Sequence, residues 1–491
     1  MNKKLNFVAC DLGAESGRSI LGLLDEKHLA LQEIHRFSNI PVLLPDGLHW
    51  DALRLWYEIQ EGIAEANRKS GNQVISLGLD TWGVDFGLLD KQGALLSNPF
   101  HYRDNRTDGK MEAAFRRMPR EDIFNLTGIQ FMQLNTLYQL LALVENKSPV
   151  LEIAETFLTM PDLFNYWMTG EKVCEFSIAS TTQCYDPRRN SWSNPLLEAM
   201  GIPTQIFPKI VSPGTVLGKL RKEITGRYGG KDLTVIAPAC HDTGSAVAAV
   251  PAEGENFAWI SSGTWSIMGI NSTEPIINQQ SLDYNFTNEG GVGSFRFSKN
   301  IMGLWLVQEC RRTWAAAGKE YSYAVLTDMA ASVPRHLSVI DPDAIDFLKP
   351  GDMPSRIREY CKRTGQKVPE SEGVVVRIAL ESLALKYRWV LERLEELTSK
   401  KLDPIHIIGG GTQNHLLSQF TADATGRNVI AGPIEATAIG NILTQAVALK
   451  YLNSIEDARQ IVSASFEPMI FTPVNRSGWD DAYGKLLELL P

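Results

Sequence analysis

The first stretch whose residue types could do chemistry is Asp11-x-Gly13-x-x-x-Gly17-Arg18. Glycines in a tight hairpin let backbone N–H groups approach phosphate oxygens without a Cβ in the way. An acidic residue at the end of the preceding strand can hold Mg²⁺, usually through water, because that ion keeps part of its hydration shell. The same residues also describe an ordinary hairpin with a strand-end aspartate. Gly409-Gly410-Gly411 follows an apolar strand and precedes a helix-like run from Leu416 to Ala424. Three consecutive glycines permit close contact with a flat or charged ligand, or simply a flexible turn. Ser261-Ser262-Gly263-Thr264 offers hydroxyls and N–H groups either to a terminal phosphate or to its own backbone.

His241-Asp242-Thr243 stands at a strand end, ahead of a helix of small residues. An aspartate there is either an N-cap, bonded to the N–H of Gly244 or Ser245, or a general base that orients a substrate hydroxyl and takes its proton. The helix N-terminus favours the ionised carboxylate that such a base must be. Asp80-Thr81-Trp82-Gly83-Val84-Asp85-Phe86, followed by Tyr102-Arg103-Asp104, combines hydrogen-bonding groups with an aromatic face, which suits a sugar; Trp82 fits a lobe core equally well. The chain has no G-x-x-x-x-G-K-S/T, no G-x-S-x-G and no H-E-x-x-H. Phosphate-sized loops without a P-loop point to a different nucleotide fold.

The elements around these loops are α/β in pattern. Phe7 to Cys10 and Ser19 to Leu24 are apolar runs flanking the first turn, and Leu31 to Phe37 alternates. Leu53 to Ala66 has helical spacing and Val74 to Asp80 is a buried strand, so at least one pairing is parallel. Helical patterns dominate from Arg106 to Gly201, and Leu233 to Ala239 returns to strand. The second half repeats the opening device. Phe257 to Ile260 and Trp265 to Ile270 flank a polar turn, an amphipathic helix runs through Val376, Leu380, Leu383, Tyr387, Val390 and Leu394, and Ile405 to Ile408 leads into the glycine triplet. Duplication is the simplest hypothesis, with a boundary near residues 244–256: an N-terminal lobe over 1–245 and a C-terminal lobe over 246–491.

Length and composition agree with two cores. The chain has 491 residues, 44% hydrophobic and 21% charged, too long for one compact domain. A net charge of −9, with signs interspersed, argues against a bulk attraction to nucleic acid or anionic membrane. Met1 to Phe7 lacks the apolar core of a leader, and no apolar run reaches the ~20 residues that span a bilayer. Six scattered cysteines without a C-x-x-C pair fit reduced thiols, so the expected location is the cytoplasm.

At DLGAESGR (11–18), DTWGVDFGLLD (80–90), YRDNRT (102–107), HDTGSAV (241–247), SSGTWSIMG (261–269), NEGG (288–291), KNIMGLWLVQ (299–308), GGGTQN (409–414) and AGPIEATAIGN (431–441) the sequence resembles the FGGY carbohydrate kinases, within the actin/Hsp70-like ATPase superfamily. The likeness runs along almost the whole chain, and the order and spacing of its motifs are its specific part. It implies a two-lobed actin-like (ribonuclease H-like) α/β fold with an interlobe cleft, and ATP and Mg²⁺ as cofactors. It implies transfer of a phosphoryl group to the 1-hydroxyl of L-rhamnulose; another ketose, such as L-fuculose or L-xylulose, is the nearest alternative and a non-catalytic sugar or nucleotide sensor a further one. By the same resemblance Ala14, Glu15, Ser16, Gly17, Arg18, Thr264, Gln308 and Gly410 match nucleotide-binding positions, and Asp11 lies near the metal. Gly83, His241, Asp242, Thr243 and Asn300 match ketose-binding positions, with Asp242 the proton acceptor. Glu15 departs from the small hydroxyl residue commoner there, which puts its side-chain contact in doubt and leaves the backbone cradle intact. The resemblance names a small ketose and ATP as partners and leaves monomer or homodimer open.

Overall fold

The structure, a computed structural model, describes residues 4–230 and 232–490. Met1–Lys3, part of the segment read for a leader, lie outside the described residues. Two compact units result, neither contiguous in sequence. The first takes the chain up to Pro251 together with Asn271–Phe297 and Ala436–Phe466; the second takes Ala252–Ile270, Ser298–Glu435 and the chain from Glu467.

In the first unit a six-stranded sheet runs, edge to edge, Thr215–Lys219, Thr234–Ala237, Val74–Thr81, Leu5–Leu12, Ser16–Leu24 and Leu29–Ser38. The three central strands Thr234–Ala237, Val74–Thr81 and Leu5–Leu12 are parallel, and the hairpins at both sides are antiparallel. Leu5–Leu12 is buried almost end to end, as a strand covered on both faces must be, which is why it is apolar without alternation. Leu29–Ser38, at the edge, alternates. Helix Ala52–Ser70 begins at Asp51, whose side chain accepts from Arg54 N, and stops at Gly71 in the left-handed conformation (φ 64°). It buries Leu55, Ile59 and Ile63, each worth about 1.5–3 kcal/mol out of water.

Helix Ala436–Ala448, from far along the chain, also belongs to this unit. Its polar face bonds to the sheet: Gln445 Nε2 donates to Val8 O (2.9 Å), and Ser76 Oγ donates to Gln445 Oε1 (2.7 Å). Gly78 makes room for it, since a Cβ there would stand 2.2 Å from Asn441 Oδ1.

The second unit repeats the plan. Its sheet includes, in order, Trp265–Ser272, Ala258–Ser262, Ile405–Ile408, Val429–Ala431 and Met469–Phe471. Again a hairpin leads; its first strand, Ala258–Ser262, pairs in parallel with Ile405–Ile408, which pairs in parallel with Val429–Ala431, and an antiparallel strand closes the far edge. The 27-residue helix Glu372–Thr398, capped by Ser371, buries Val376, Leu380, Leu383, Tyr387, Val390 and Leu394, the stripe expected from their spacing. Among the described residues no helix is long and apolar enough to cross a membrane.

Candidate active site

Three carboxylates gather at the carboxyl ends of the parallel strands of the first unit, the place where α/β sheets bind ligands. Asp11 and Asp80 are partners in the parallel register, and Thr81 bridges to His241 just before Asp242. Asp11 is buried and takes both Nε (3.0 Å) and Nη2 (2.7 Å) of Arg18 on Oδ2. Asp80 is fully buried; Asn441 Nδ2 donates to its Oδ2 (2.5 Å), while its Oδ1 has no partner. Burial pushes the Asp80 carboxyl well up, and the charges of Asp11 and Asp242 push it further, only partly offset by Asn441 and Arg18. Asp242 is likewise raised by burial, with Asp11 adding to it and His241 and Thr243 opposing.

These acids are short of positive charge, and one buried oxygen is unspent. That donor set fits a divalent cation. Such an ion keeps part of its hydration shell, and among the described residues no group of three or more His, Cys, Asp or Glu side chains is arranged to hold an ion directly.

Asp242 does not serve as the helix N-cap. The helix Asp242–Ala248 starts from His241, and the N–H groups of Gly244 and Ser245 both donate to the His241 carbonyl. Asp242 Oδ1 instead accepts from Thr243 N (2.5 Å) and Thr243 Oγ1 (3.1 Å). His241 Nε2 stands 3.4 Å from the same oxygen. The side chain is 30% exposed, and Oδ2 takes no hydrogen bond among the described residues. An ionised carboxylate with one oxygen held and the other free is arranged to accept a proton.

The backbone under Asp242 is set by residues that sequence reasoning missed. Glu175 caps helix Phe176–Thr181 through the N–H groups of Ser177 (2.8 Å) and Ile178 (3.3 Å). It also accepts from Ser177 Oγ (2.5 Å) and Cys240 N (2.9 Å), and Ser177 Oγ in turn accepts from His241 N (3.0 Å). Burial lifts the Glu175 carboxyl to about 7, against the pull of these donors. No local signal marks Glu175, which lies 65 residues before the N–H it holds.

Gly83 sits in a clamped loop. The next residue, Val84, has φ 67°, a left-handed conformation that β-branched side chains rarely adopt. Val84 N donates to Thr181 Oγ1 (3.1 Å) and its carbonyl accepts from Thr136 Oγ1 (2.5 Å). Asp85 then gathers an aromatic wall: it accepts from Trp50 Nε1 (2.6 Å), Trp82 Nε1 (3.0 Å), Gln139 Nε2 (2.9 Å) and Tyr102 N (3.2 Å). Burial raises Asp85 to about 6 and lowers His101, stacked on Tyr102, to about 3. Trp82 is 5% exposed, so its indole belongs to this wall's interior.

The first glycine turn is narrower than the sequence suggested. Asp11 and Leu12 remain in strand, and Ser16, Gly17 and Arg18 are already in the next, leaving Gly13, Ala14 and Glu15 as the turn. Asn39 braces it, its N–H on Glu15 O (3.0 Å) and its Nδ2 on Gly13 O (2.9 Å).

Thr264, Gln308, Gly410 and Asn300 all fall in the second unit. Thr264 ends the hairpin turn and accepts on its carbonyl from Trp305 N (3.1 Å), which opens the helix carrying Gln308. Gln308 Oε1 is buried without a partner. The glycine triplet leans on the same hairpin: a Cβ on Gly411 would stand 2.0 Å from Ser262 Oγ, whereas Gly410 is exposed with nothing within 4 Å. Asn300 is half-buried in strand Phe295–Met302.

Residues 7–249 match the FGGY family of carbohydrate kinases, N-terminal domain, and residues 258–449 match its C-terminal domain. The chain belongs to the FGGY family of carbohydrate kinases. It is therefore a sugar kinase that uses ATP. Among its relatives, a rhamnulokinase of Bacteroides thetaiotaomicron is 45% identical over 98% of each chain. One from Oceanobacillus iheyensis is 43% identical, covering 96% of this chain and 99% of that one, and one from Bacillus subtilis is 38% identical over 95% of each. Solved structures share the fold at much lower identity. A gluconate kinase from Lactobacillus acidophilus matches with TM-score 0.81 at 16% identity, covering 99% of this chain and 98% of that. The Plasmodium falciparum glycerol kinase with ADP matches with TM-score 0.78 at 15% identity and the same coverage. The fold is the actin-like ATPase fold expected, one sheet-containing half in each unit.

Proposed function

We propose that this kinase transfers the γ-phosphoryl group of ATP to the 1-hydroxyl of L-rhamnulose, giving L-rhamnulose 1-phosphate and ADP. The free Oδ2 of Asp242 carries the reading, because a base needs one oxygen held and one available. The substrate is inferred from the relatives named rhamnulokinase, which match along nearly the whole chain. Gly83, His241, Asp242, Thr243 and Asn300 are assigned to the sugar. Ala14, Glu15, Ser16, Gly17, Arg18, Thr264, Gln308 and Gly410 are assigned to the nucleotide; the unspent Gln308 Oε1 supports its place there. In chain order, residues 1–245 are assigned most of the sugar contacts and the first phosphate loop, and 246–491 the remaining nucleotide contacts together with Asn300.

The sugar's 1-oxygen attacks the γ-phosphorus in line with the leaving oxygen of ADP, and Asp242 Oδ2 takes the hydroxyl proton. Such transfer is largely dissociative, so alignment and charge neutralisation do most of the work. Asp11 and Asp80 would hold Mg²⁺ through water, and that ion would supply neutralisation of phosphate charge. The unpartnered Asp80 Oδ1 supports this assignment.

An ADP-release assay over L-rhamnulose, L-fuculose and L-xylulose tests the substrate; a clear preference for either of the last two refutes it. Asp242→Asn should lower kcat by about 10²-fold or more while the fold survives. Near-normal turnover in that variant would remove Asp242 from the chemistry.

A further inference from the structure

We propose that Arg296, anchored by Glu289, is a positioning residue that fixes the ring proton of His241 on Nε2, so that the ring presents an N–H to the Asp242 carboxylate. The inference rests on Asp242 being the base. Arg296 is fully buried, in the first unit with its partners. Its Nε donates to Gly290 O (2.8 Å) and its Nη2 to Glu289 Oε2 (3.0 Å). The same Nη2 lies 2.8 Å from His241 Nδ1 in hydrogen-bonding geometry.

A guanidinium can only donate. A proton on Nδ1 would therefore set N–H against N–H at 2.8 Å, so Nδ1 must be the acceptor and the ring proton must sit on Nε2. Glu289 Oε2 is also near Nδ1, at 3.2 Å, and would attract a proton there. That oxygen already accepts from Arg296, and among the described residues it is the Arg296 contact that has hydrogen-bonding geometry to the ring.

The consequence falls on Asp242. Nε2 is 3.4 Å from Oδ1, the oxygen that already takes Thr243 N and Oγ1. The N–H dipole stabilises the ionised carboxylate and leaves Oδ2 as the proton acceptor. The other tautomer would turn a lone pair toward the anion and make it harder to ionise. Stability does not explain the arrangement. Arg296 Nη1 is buried without a partner, and a buried ion pair with an unsatisfied donor is a poor stabilising device. Its return is the orientation of His241.

The test is ¹⁵N NMR of histidine-labelled protein, with the His241 ring assigned by its loss in His241→Gln. In the wild type the neutral ring should be the Nε2–H tautomer. Arg296→Lys, which still only donates, should keep it; Arg296→Gln, whose amide oxygen can accept from Nδ1–H, should release it. In step, the acid limb of kcat/KM should move up by about 0.5–1 pH unit in Arg296→Gln and stay in place in Arg296→Lys. A wild-type neutral ring that is Nδ1–H overturns the proposal, whether or not any variant folds. So does an unchanged tautomer in a folded Arg296→Gln. The NMR signal needs no turnover, so an absence of ketose phosphorylation would refute the proposed function and leave the tautomer result to decide this one.

Discussion

Gly440→Ala is expected to damage catalysis from a position with no catalytic group. Gly440 lies in helix Ala436–Ala448, against helix Asp242–Ala248. A Cβ at 440 would stand 1.8 Å from Ser245 O, 2.7 Å from Ser245 C and 3.3 Å from its Cα. Non-bonded contacts settle near 3.5 Å, and a helical carbonyl cannot swing aside, so the shorter helix must retreat by about 1.5 Å. Asp242 opens that helix, three residues before Ser245, and would move with it. Misplacement of a reacting group by about 1 Å costs on the order of 10²-fold in rate. Overpacking should cost about 1–3 kcal/mol, from which the better helix propensity of alanine returns about 1. The expected signature is thus a kcat near one-hundredth of wild type with a modest loss of stability. The assay is steady-state ADP release at saturating ketose, with a urea melt on the same preparation. Gly484→Ala is the control: it lies in helix Trp479–Leu489 with nothing within 4 Å of its would-be Cβ, and should leave turnover unchanged. A Gly440→Ala enzyme within about twofold of wild-type kcat would show that this contact does not place Asp242, and the argument for glycine at 440 would fail.

Two further outcomes follow from buried groups. Burial raises Asp85 to about 6 and Asp162 and Glu175 to about 7. Their folded-state values exceed the unfolded ones near 4, so the folded chain binds more protons, and their stabilising contribution is present at low pH and lost as pH rises through about 6–7. Carboxylates held below their usual range, such as Glu33 and Asp346, act mainly below about pH 5; His101, lowered by burial to about 3, and His336, also lowered, oppose the trend below about pH 6.5 but are outnumbered by the three carboxyls. The urea midpoint should therefore be higher at pH 5.5 than at pH 8.0, and a midpoint that climbs steadily across that interval contradicts the assignment. All six cysteines are buried, and burial raises each thiol, Cys10 and Cys184 to about 12 and Cys361 to about 11. A thiol reagent at pH 8 should find essentially none in the native protein and six after unfolding; rapid native labelling of even one would show an opening that the fold does not provide.

The strands and the glycine turns were legible because their signals are local. Leu5–Leu12 and Ile405–Ile408 are short apolar runs bounded by polar turns, and both proved to be central parallel strands. The chemistry at Asp242 was legible only as a choice. An aspartate at a helix start is more often a cap than a base, and it is the His241 carbonyl, taking the Gly244 and Ser245 N–H groups, that decides against the cap. The supports were not legible at all. Asn441 reaches Asp80 across 361 residues and Ser177 reaches His241 across 64. Arg296 sits between two phenylalanines in a strand, where no periodicity separates a ring-orienting arginine from an edge residue.

The two sheets share one plan yet hold opposite chemistry at corresponding ends. In the first, the leading strand and its parallel neighbour finish with Asp11 and Asp80, and the next strand leads to Asp242. In the second, the leading strand finishes with Ser261 and Ser262, and its parallel neighbour leads into three glycines. Clustered carboxylates repel a triphosphate unless a cation intervenes, whereas hydroxyls and glycine N–H groups accept its charge directly. On the proposed assignment, exchanging the two sets would leave Asp242 without its like-charged neighbours and set acids against the nucleotide. If the halves arose by duplication, the fold was kept and the strand ends diverged, as the proposed assignment of a proton acceptor to one and an uncharged cradle to the other requires.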